Sequence, residues 1–280
     1  MLAFSSLLGN VEGQNIYRIW YDKPASYWEE ALPVGNGRIA AMVFGDPQLE
    51  QIQLNEETVS AGSPYQNYNE EAKTALPEMR RLIFEGKYEE AQNMAATKIL
   101  SQVGNEMPYQ TVGRLNIRYQ DHKKVNNYYR DLDISNAVAV TRYEVDGVEF
   151  TEETFASFTD QLVIRHIKAS KPGTINCELF FNTPMRDPKR SIYGKKGLRL
   201  EGITHGSRYF PGKVHYCADL DVKHKGGKVI TANDTLLSVQ GASELTLYIS
   251  MATNFVNYKD ISGDPYQRLS LIHISEPTRR

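Results

Sequence analysis

The sequence predicts a mainly β fold, a large antiparallel β-sandwich carrying a helical hairpin insertion. Three observations lead there. Apolar residues recur at every second position in run after run, from Ile39 to Met251. Gly, Pro, Asn and Asp punctuate those runs at short intervals, the pattern of an all-β chain that turns back on itself. A single segment, from Glu70 to Gln102, leaves the two-residue period and takes helical spacing. With 280 residues, 41% of them hydrophobic and 24% charged, the chain is long enough to bury a sizeable core.

The elements follow in order. LPVGNGRIAAMVFG, residues 32–45, places Gly35, Gly37 and Ala40 at the G-x-G-x-x-A spacing of a dinucleotide-binding turn. That fingerprint needs a buried strand before it and a helix after it, so that the helix N-terminus faces a pyrophosphate. Pro33 argues against a central parallel strand. Two strands follow around Gly45-Asp46-Pro47, with Ile39, Ala41 and Val43 alternating with Ala40, Met42 and Phe44, and Ile52 and Leu54 continuing the pattern. The glycines therefore serve a turn and a close backbone approach, not a nucleotide. Next, Leu76, Met79, Leu82 and Ile83 form one helical stripe, and Tyr88, Ala91, Ala95 and Ile99 a second. Pro77 suits the start of the first helix and Gly86 its C-cap. AVAVTRYEVDGVEFTEETFAS is a hairpin turning at Asp146-Gly147. QLVIRHIKA and TINCELFF flank a turn at Lys171-Pro172-Gly173, and KKGLRLEGITHG, KVHYCADLDVKHKGG, KVITANDTLLSVQG and ELTLYISMAT complete the series. In the last, Leu245, Leu247, Ile249 and Met251 alternate with Thr246, Tyr248 and Ser250.

The two ends differ from this body. MLAFSSLLGN is a short apolar run without a basic n-region. Residues 1–14 read either as the remnant of a truncated secretory signal, implying a secreted or periplasmic protein, or as a frayed or packed N-terminus. LSLIHISEPTRR resembles translated sequencing-adaptor read-through. Residues 269–280 are therefore expected to lie outside the fold without native packing, and the sandwich to span 15–268.

A net charge of −2 argues against a general nucleic-acid or anionic-membrane surface. No stretch approaches the length of a bilayer span. Cys177 shares a strand face with Ile175, Leu179 and Phe181, whereas Cys217 shares one with His215, Asp219 and Asp221; such opposite surroundings argue against a bridge between them. The histidines at 122, 166, 205, 215, 224 and 273 show no metal-ligand spacing, and no Walker A, G-x-S-x-G or Cys-x-x-Cys appears, so neither metal nor cofactor is expected. The acidic doublets Glu29-Glu30, Glu56-Glu57 and Glu152-Glu153 could flank a glycosidic bond, but they read as solvated pairs on exposed loops. The seventeen tyrosines and two tryptophans could carry sugar rings, but they read mostly as core and cross-strand partners.

Several segments, taken together, resemble the N-terminal domain of glycoside hydrolase family 95, the α-L-fucosidase family. YDKPASYWEEALPVGNGRIAAMVFG is similar to that family's opening Pro-Ala, Trp-x-x-Ala-Leu-Pro and Gly-Asn-Gly-Arg. EQIQLNEETVSAGSP, YQTVGRLNIRY, YYRDLDISNAVAVTRYEVDGVEFTEETFAS and MATNFVNYKDISGDP resemble the blocks that follow, in the same order, from about Tyr17 to about Arg268. The chain departs from the family at TVSAGSP, where many relatives carry a Trp ahead of a Ser-Gly; Ala61 there leaves sugar stacking by that loop without support from the resemblance.

The resemblance implies a β-sandwich preceding a helical barrel, in a parent enzyme that hydrolyses terminal α-1,2-linked L-fucose with inversion. In the family, a glutamic acid protonates the leaving oxygen, and asparagines backed by a carboxylate activate water. All of these lie in the barrel, so no catalytic residue is carried over to this chain. The implied partners are a fucosylated oligosaccharide or glycan, bound through the parent, and the barrel itself. Asn55, Glu56, Tyr109 and Gln110 are the candidate substrate contacts, at the edge of the barrel's pocket; Asn36 and Asn55 are expected first to shape backbone. Two other readings stand beside this one, a stand-alone carbohydrate-binding sandwich with aromatics on a concave face and the N-terminal sandwich of a related glycoside phosphorylase.

Overall fold

Alternation becomes two stacked sheets because each alternating strand has one apolar face to hide. The structure, a computed structural model, describes residues 17–101, 107–207 and 210–274, the last five as backbone. Its strands are β1 (Arg18–Tyr21), β2 (Leu32–Gly35), β3 (Ile39–Val43), β4 (Leu49–Glu56), β5 (Gly113–Tyr119), β6 (Asn126–Asp133), β7 (Val138–Val145) and β8 (Val148–Ser157). Then come β9 (Leu162–Ala169), β10 (Ile175–Asn182), β11 (Arg186–Tyr193), β12 (Gly197–Ile203), β13 (His215–Lys225), β14 (Lys228–Asn233), β15 (Leu236–Ala242) and β16 (Glu244–Thr253). Nine strands form one sheet in the order β1-β6-β7-β8-β9-β16-β13-β12-β11, and seven form the other, β14-β15-β10-β5-β4-β3-β2. The described pairings are antiparallel, for example Leu54↔Gly113 and Leu247↔Arg165.

The expected inward parity holds strand by strand. Ile39, Ala41, Val43, Ile52 and Leu54 are buried, as are Leu245, Leu247, Ile249 and Met251, and together with Leu115, Ile117, Leu179 and Phe181 they fill the space between the sheets. Asp146 and Gly147 take φ of 50° and 70°, the left-handed pair that a tight hairpin requires. Pro33 lies in β2, at the margin of the seven-stranded sheet, where its missing N–H costs no ladder bond. The strand β11, RDPKRSIY, has no apolar alternation to announce it and is exposed along most of its length. It closes the nine-stranded sheet with Lys, Arg, Pro and a register shift, devices that discourage a further strand from pairing.

The helical segment is inserted between β4 and β5. Helix α1 (Ala72–Phe84) and helix α2 (Tyr88–Met94) form the hairpin, and α2 runs into a π turn at Ala95–Ile99. Gly86 caps α1 as expected, at φ +74°, with its N–H on the Ile83 carbonyl and the Lys87 N–H on that of Leu82. Pro77 does not start the helix but sits inside it, because Asn69 and Glu71 begin the turn earlier by accepting the N–H groups of Ala72 and Ala75. Of the two stripes only Leu82 and Ala91 are buried; Phe84 and Tyr88 point to solvent.

A third helix, α3 (Pro265–Ile274), crosses the outer face of the nine-stranded sheet. Leu269, expected outside the fold, is 1% exposed against Cys217 and Ala252. The small outward residues Cys217 of β13 and Ala252 of β16 give this apolar side chain a surface to cover, and alternation within the tail alone does not reveal it. The other residues of the 269–280 segment have no described side chains, and residues 1–14 lie outside the described residues. Cys177 and Cys217 are both free and both buried, in the separate surroundings that their strand faces imply.

The doublets are not simply solvated. Glu56 and Glu152 are buried while their neighbours Glu57 and Glu153 face outward, since adjacent side chains on a strand point to opposite faces. Glu152 belongs to a charge cluster in the core. Arg165, wholly buried, donates to Glu50 at 2.8 Å, to Thr154 at 2.7 Å and to Glu152. Glu152 also accepts the hydroxyls of Tyr119 and Tyr143, each at 2.7 Å. Glu50 accepts the Gly45 N–H at 3.0 Å and that of Phe44 at 3.2 Å. The cluster ties the two sheets together, with Glu50 and Tyr119 from one and Glu152, Arg165 and Tyr143 from the other. Of the tryptophans, Trp20 is a cross-strand partner, its ring stacked 6.2 Å from that of Tyr129 on β6, whereas Trp28 departs from expectation at 50% exposed.

Candidate functional site

The turn at Gly35-Asn36-Gly37 builds the site, by aiming Arg38. The Asn36 side-chain oxygen accepts the N–H groups of Arg38 at 3.0 Å and Ile39 at 2.9 Å, and its amide donates to the Ser157 carbonyl at 2.9 Å. Gly37 supplies φ +94°. Asn36 thus shapes backbone, as its Gly-flanked position implies.

From the turn before β3, Arg38 then reaches to the opposite sheet. Its Nε donates to Gln161 Oε1 at 2.7 Å, and its Nη1 donates to the Met251 carbonyl at 2.9 Å and to Glu56 Oε1 at 3.4 Å. Glu56 ends β4 and is 4% exposed. Burial pushes its carboxyl above the usual value, against the pull of Thr58 and Arg38. Its other oxygen accepts from the Thr58 N–H at 2.8 Å and the Thr58 hydroxyl at 2.6 Å. The Thr253 hydroxyl bonds to that of Thr58, and the Phe255 N–H donates to Thr253 at 3.2 Å. Together these residues line a cleft of about 420 Å³, joined by Glu57, Val256 and Arg268.

Of the four candidate contacts, the structure brings Asn55, Glu56 and Tyr109 close together. The Tyr109 hydroxyl donates to the Glu56 carbonyl at 3.0 Å, and its ring is 53% exposed. Partial burial raises its phenol above the ordinary value, and a hydrogen bond with Asn55 opposes that rise. Gln110 turns the other way, accepting the His205 N–H at 2.9 Å. Glu56 serves Thr58 and Arg38 and does not face the cleft as a free acid. Sequence reasoning missed Arg38, Thr58, Gln161 and Thr253. Parity could have flagged Glu56, which shares the inward face of Ile52 and Leu54; the partners from other strands carry no local signal.

The arrangement can hold polar groups, but it offers no opposed acid and base. Glycoside hydrolysis places two carboxyls about 5 Å or more apart across a bond, one of them a free acid. Here the buried carboxyl is consumed by the clamp, and its neighbour Glu57, in the turn after β4, lies on the same cleft without a second free carboxyl opposite it.

Residues 19–258 match the family described as "Glycosyl hydrolase family 65, N-terminal domain". Alpha-L-fucosidase 2 of Arabidopsis thaliana is 31% identical over 88% of this chain and 31% of its own length. "Probable alpha-fucosidase A" of Aspergillus niger is 26% identical over 85% of this chain and 30% of its own. The chain thus spans about a third of the curated relatives it matches. A solved structure described as "Putative kojibiose phosphorylase from human microbiome" superposes with a TM-score of 0.51 at 9% identity, covering 94% of this chain and 35% of that one, a likeness of fold alone. The resemblance to a fucosidase N-terminal domain is borne out, and so is the β-sandwich. The chain belongs to the N-terminal domain family of glycosyl hydrolase family 65, with α-fucosidases among its relatives.

Proposed function

We propose that this chain is the supporting sandwich of an inverting α-L-fucosidase, a parent enzyme that removes terminal α-1,2-linked L-fucose from glycans. The observation that carries this is the identity with Alpha-L-fucosidase 2 over nearly the whole chain. The absence of an opposed carboxyl pair in the Arg38 cleft agrees with a division of labour in which a helical barrel supplies the acid and the activated water. Docked on that barrel, the edge formed by Asn55, Glu56 and Tyr109 borders its pocket, with Gln110 turned toward His205 behind it. Secretion or periplasmic export belongs to the same proposal and rests on the apolar run of residues 1–14.

The test is direct. Incubated with 2′-fucosyllactose, this chain alone releases no fucose, whereas the chain joined to its native downstream region releases it as the inverted β-anomer, observed by NMR in the first minutes. Release by this chain alone, abolished by Glu56→Gln or Glu57→Gln, overturns the division of labour. Release that requires phosphate and yields a sugar phosphate favours the phosphorylase reading instead.

A further inference from the structure

Beside the Arg38 cleft lies a larger one of about 680 Å³, and Glu57, Thr58 and Phe255 line both. Its walls are the loop leaving β4 and the loop leaving β16. Each wall is fixed by backbone hydrogen bonds. Ala61 N–H donates to the Pro108 carbonyl at 2.9 Å, Gly62 N–H to that of His205 at 3.1 Å, and Lys213 N–H to that of Gly62 at 3.0 Å. Gly62 has φ +79°, and a Cβ there would stand 2.5 Å from the Met107 sulfur, so this wall requires glycine. On the other side, Val256 N–H donates to the Asp260 carbonyl at 2.9 Å, and the Asn254 side chain donates to the Ile261 carbonyl at 2.9 Å.

The lining combines flat apolar surfaces with hydroxyl-binding groups. Tyr65 is backed by Phe210, ring centroids 4.2 Å apart, and Tyr258 is 75% exposed with the Lys259 ammonium 5.1 Å from its ring centre. Glu57 stands exposed at the rim, and its carboxylate has no hydrogen bond among the described residues; Thr58 and Ser60 are its polar neighbours. An aromatic face meets the C–H side of a pyranose, and a carboxylate with hydroxyls meets its O–H groups, in a pocket of the size that small-molecule sites have. A purely apolar peptide would leave the Glu57 carboxylate desolvated without a donor.

We propose that this cleft binds the non-fucosyl part of the glycan, a neutral hexose on the leaving-group side of the scissile bond. Tyr258 and Phe255 supply the stacking surface, and Glu57 accepts from ring hydroxyls. The proposal rests on the fucosidase reading of the parent and adds where the rest of the glycan lies.

The experiment compares 2′-fucosyllactose with an aryl α-L-fucoside, which lacks the hexose, as substrates of the full-length parent. Tyr258→Ala and Glu57→Gln each lower the kcat/KM preference for the oligosaccharide roughly tenfold, the size of one lost stacking or charged contact. Tyr258→Trp restores it. Both side chains are exposed, and unchanged melting temperatures confirm intact folding. Variants with the wild-type preference, in an enzyme that cleaves both substrates, overturn the cleft proposal and leave the fucosidase reading standing. A parent that cleaves neither substrate overturns that reading. The cleft is then judged by NMR titration of this chain with lactose, where shifts at Glu57 and Tyr258 support it and their absence overturns it.

Discussion

The buried cluster around Arg165 sets a pH dependence that can be worked from the structure. One guanidinium serves two buried carboxylates, Glu50 and Glu152, so a full negative charge is left over unless one carboxyl keeps its proton. Glu152 accepts two phenolic O–H groups besides Arg165. Glu50 is the proton carrier. Burial raises its carboxyl from 4.5 to about 7, helped by Glu152 and Asp46 and opposed by Arg165 and the Gly45 N–H. A folded value above the unfolded one means that the stabilisation is complete below the unfolded value and is lost as pH rises through the folded value. At about 1.4 kcal/mol per pH unit, the domain loses roughly 2–3 kcal/mol between pH 5 and pH 8 from this residue. His122 runs the opposite way: burial lowers its value, so protonating it costs stability as pH falls. The comparison with Glu50→Gln removes that common background. Urea unfolding of both proteins at pH 5, 6, 7 and 8 gives the difference directly. The variant shows the smaller loss of stability toward high pH and matches or exceeds the wild type at pH 8. An identical pH slope in the two proteins, or a variant that is weaker by the same margin at every pH, refutes the assignment of the proton to Glu50.

Three further outcomes follow from the packing. Arg38→Ala leaves the buried Glu56 carboxylate without its cation and costs about 3 kcal/mol in urea unfolding, of which Glu56→Gln in the same chain recovers part; strict additivity of the two changes counts against the clamp. Gly45→Ala places a Cβ 2.7 Å from the Tyr128 hydroxyl and 2.9 Å from Arg130 Cδ at φ +76°, lowering stability by roughly 1–3 kcal/mol with a matching drop in melting temperature. Leu269→Ala removes the apolar contact of α3 with Cys217 and Ala252 and costs about 2 kcal/mol; no loss means that the helix does not dock there.

Much of the sandwich was legible because a strand's inward residues share one parity. The same rule carried information that the doublet reading passed over. Glu50 and Glu56 share the parity of Ile52 and Leu54, Glu152 that of Phe150 and Thr154, and Arg165 that of Val163 and Ile167. Each is a charged residue on an apolar face, and such a residue must find a partner across the core. Which partner it finds depends on how the sheets stack, and no local pattern encodes that. The Arg38 clamp was hidden for the same reason, as its contacts lie on β4, on β16 and in the turn after β8. The β11 strand was hidden because an edge strand exposed on both faces has no alternation to show.

The helical hairpin leaves and re-enters the sheet at one place. Leu54 pairs with Gly113, and beyond that rung the two segments stay together through Ser60 and Tyr109 and through the Ala61 N–H on the Pro108 carbonyl. The neck closes before the helices begin. Neither sheet takes its register from what lies past it. Because closing a longer loop adds only about 0.6 kcal/mol per doubling of length, the segment beyond the neck can be lengthened, shortened or exchanged by recombination while the strands keep their partners. This part of the molecule is where related chains are free to diverge in size, and a graft between them belongs at the Ala61–Pro108 rung.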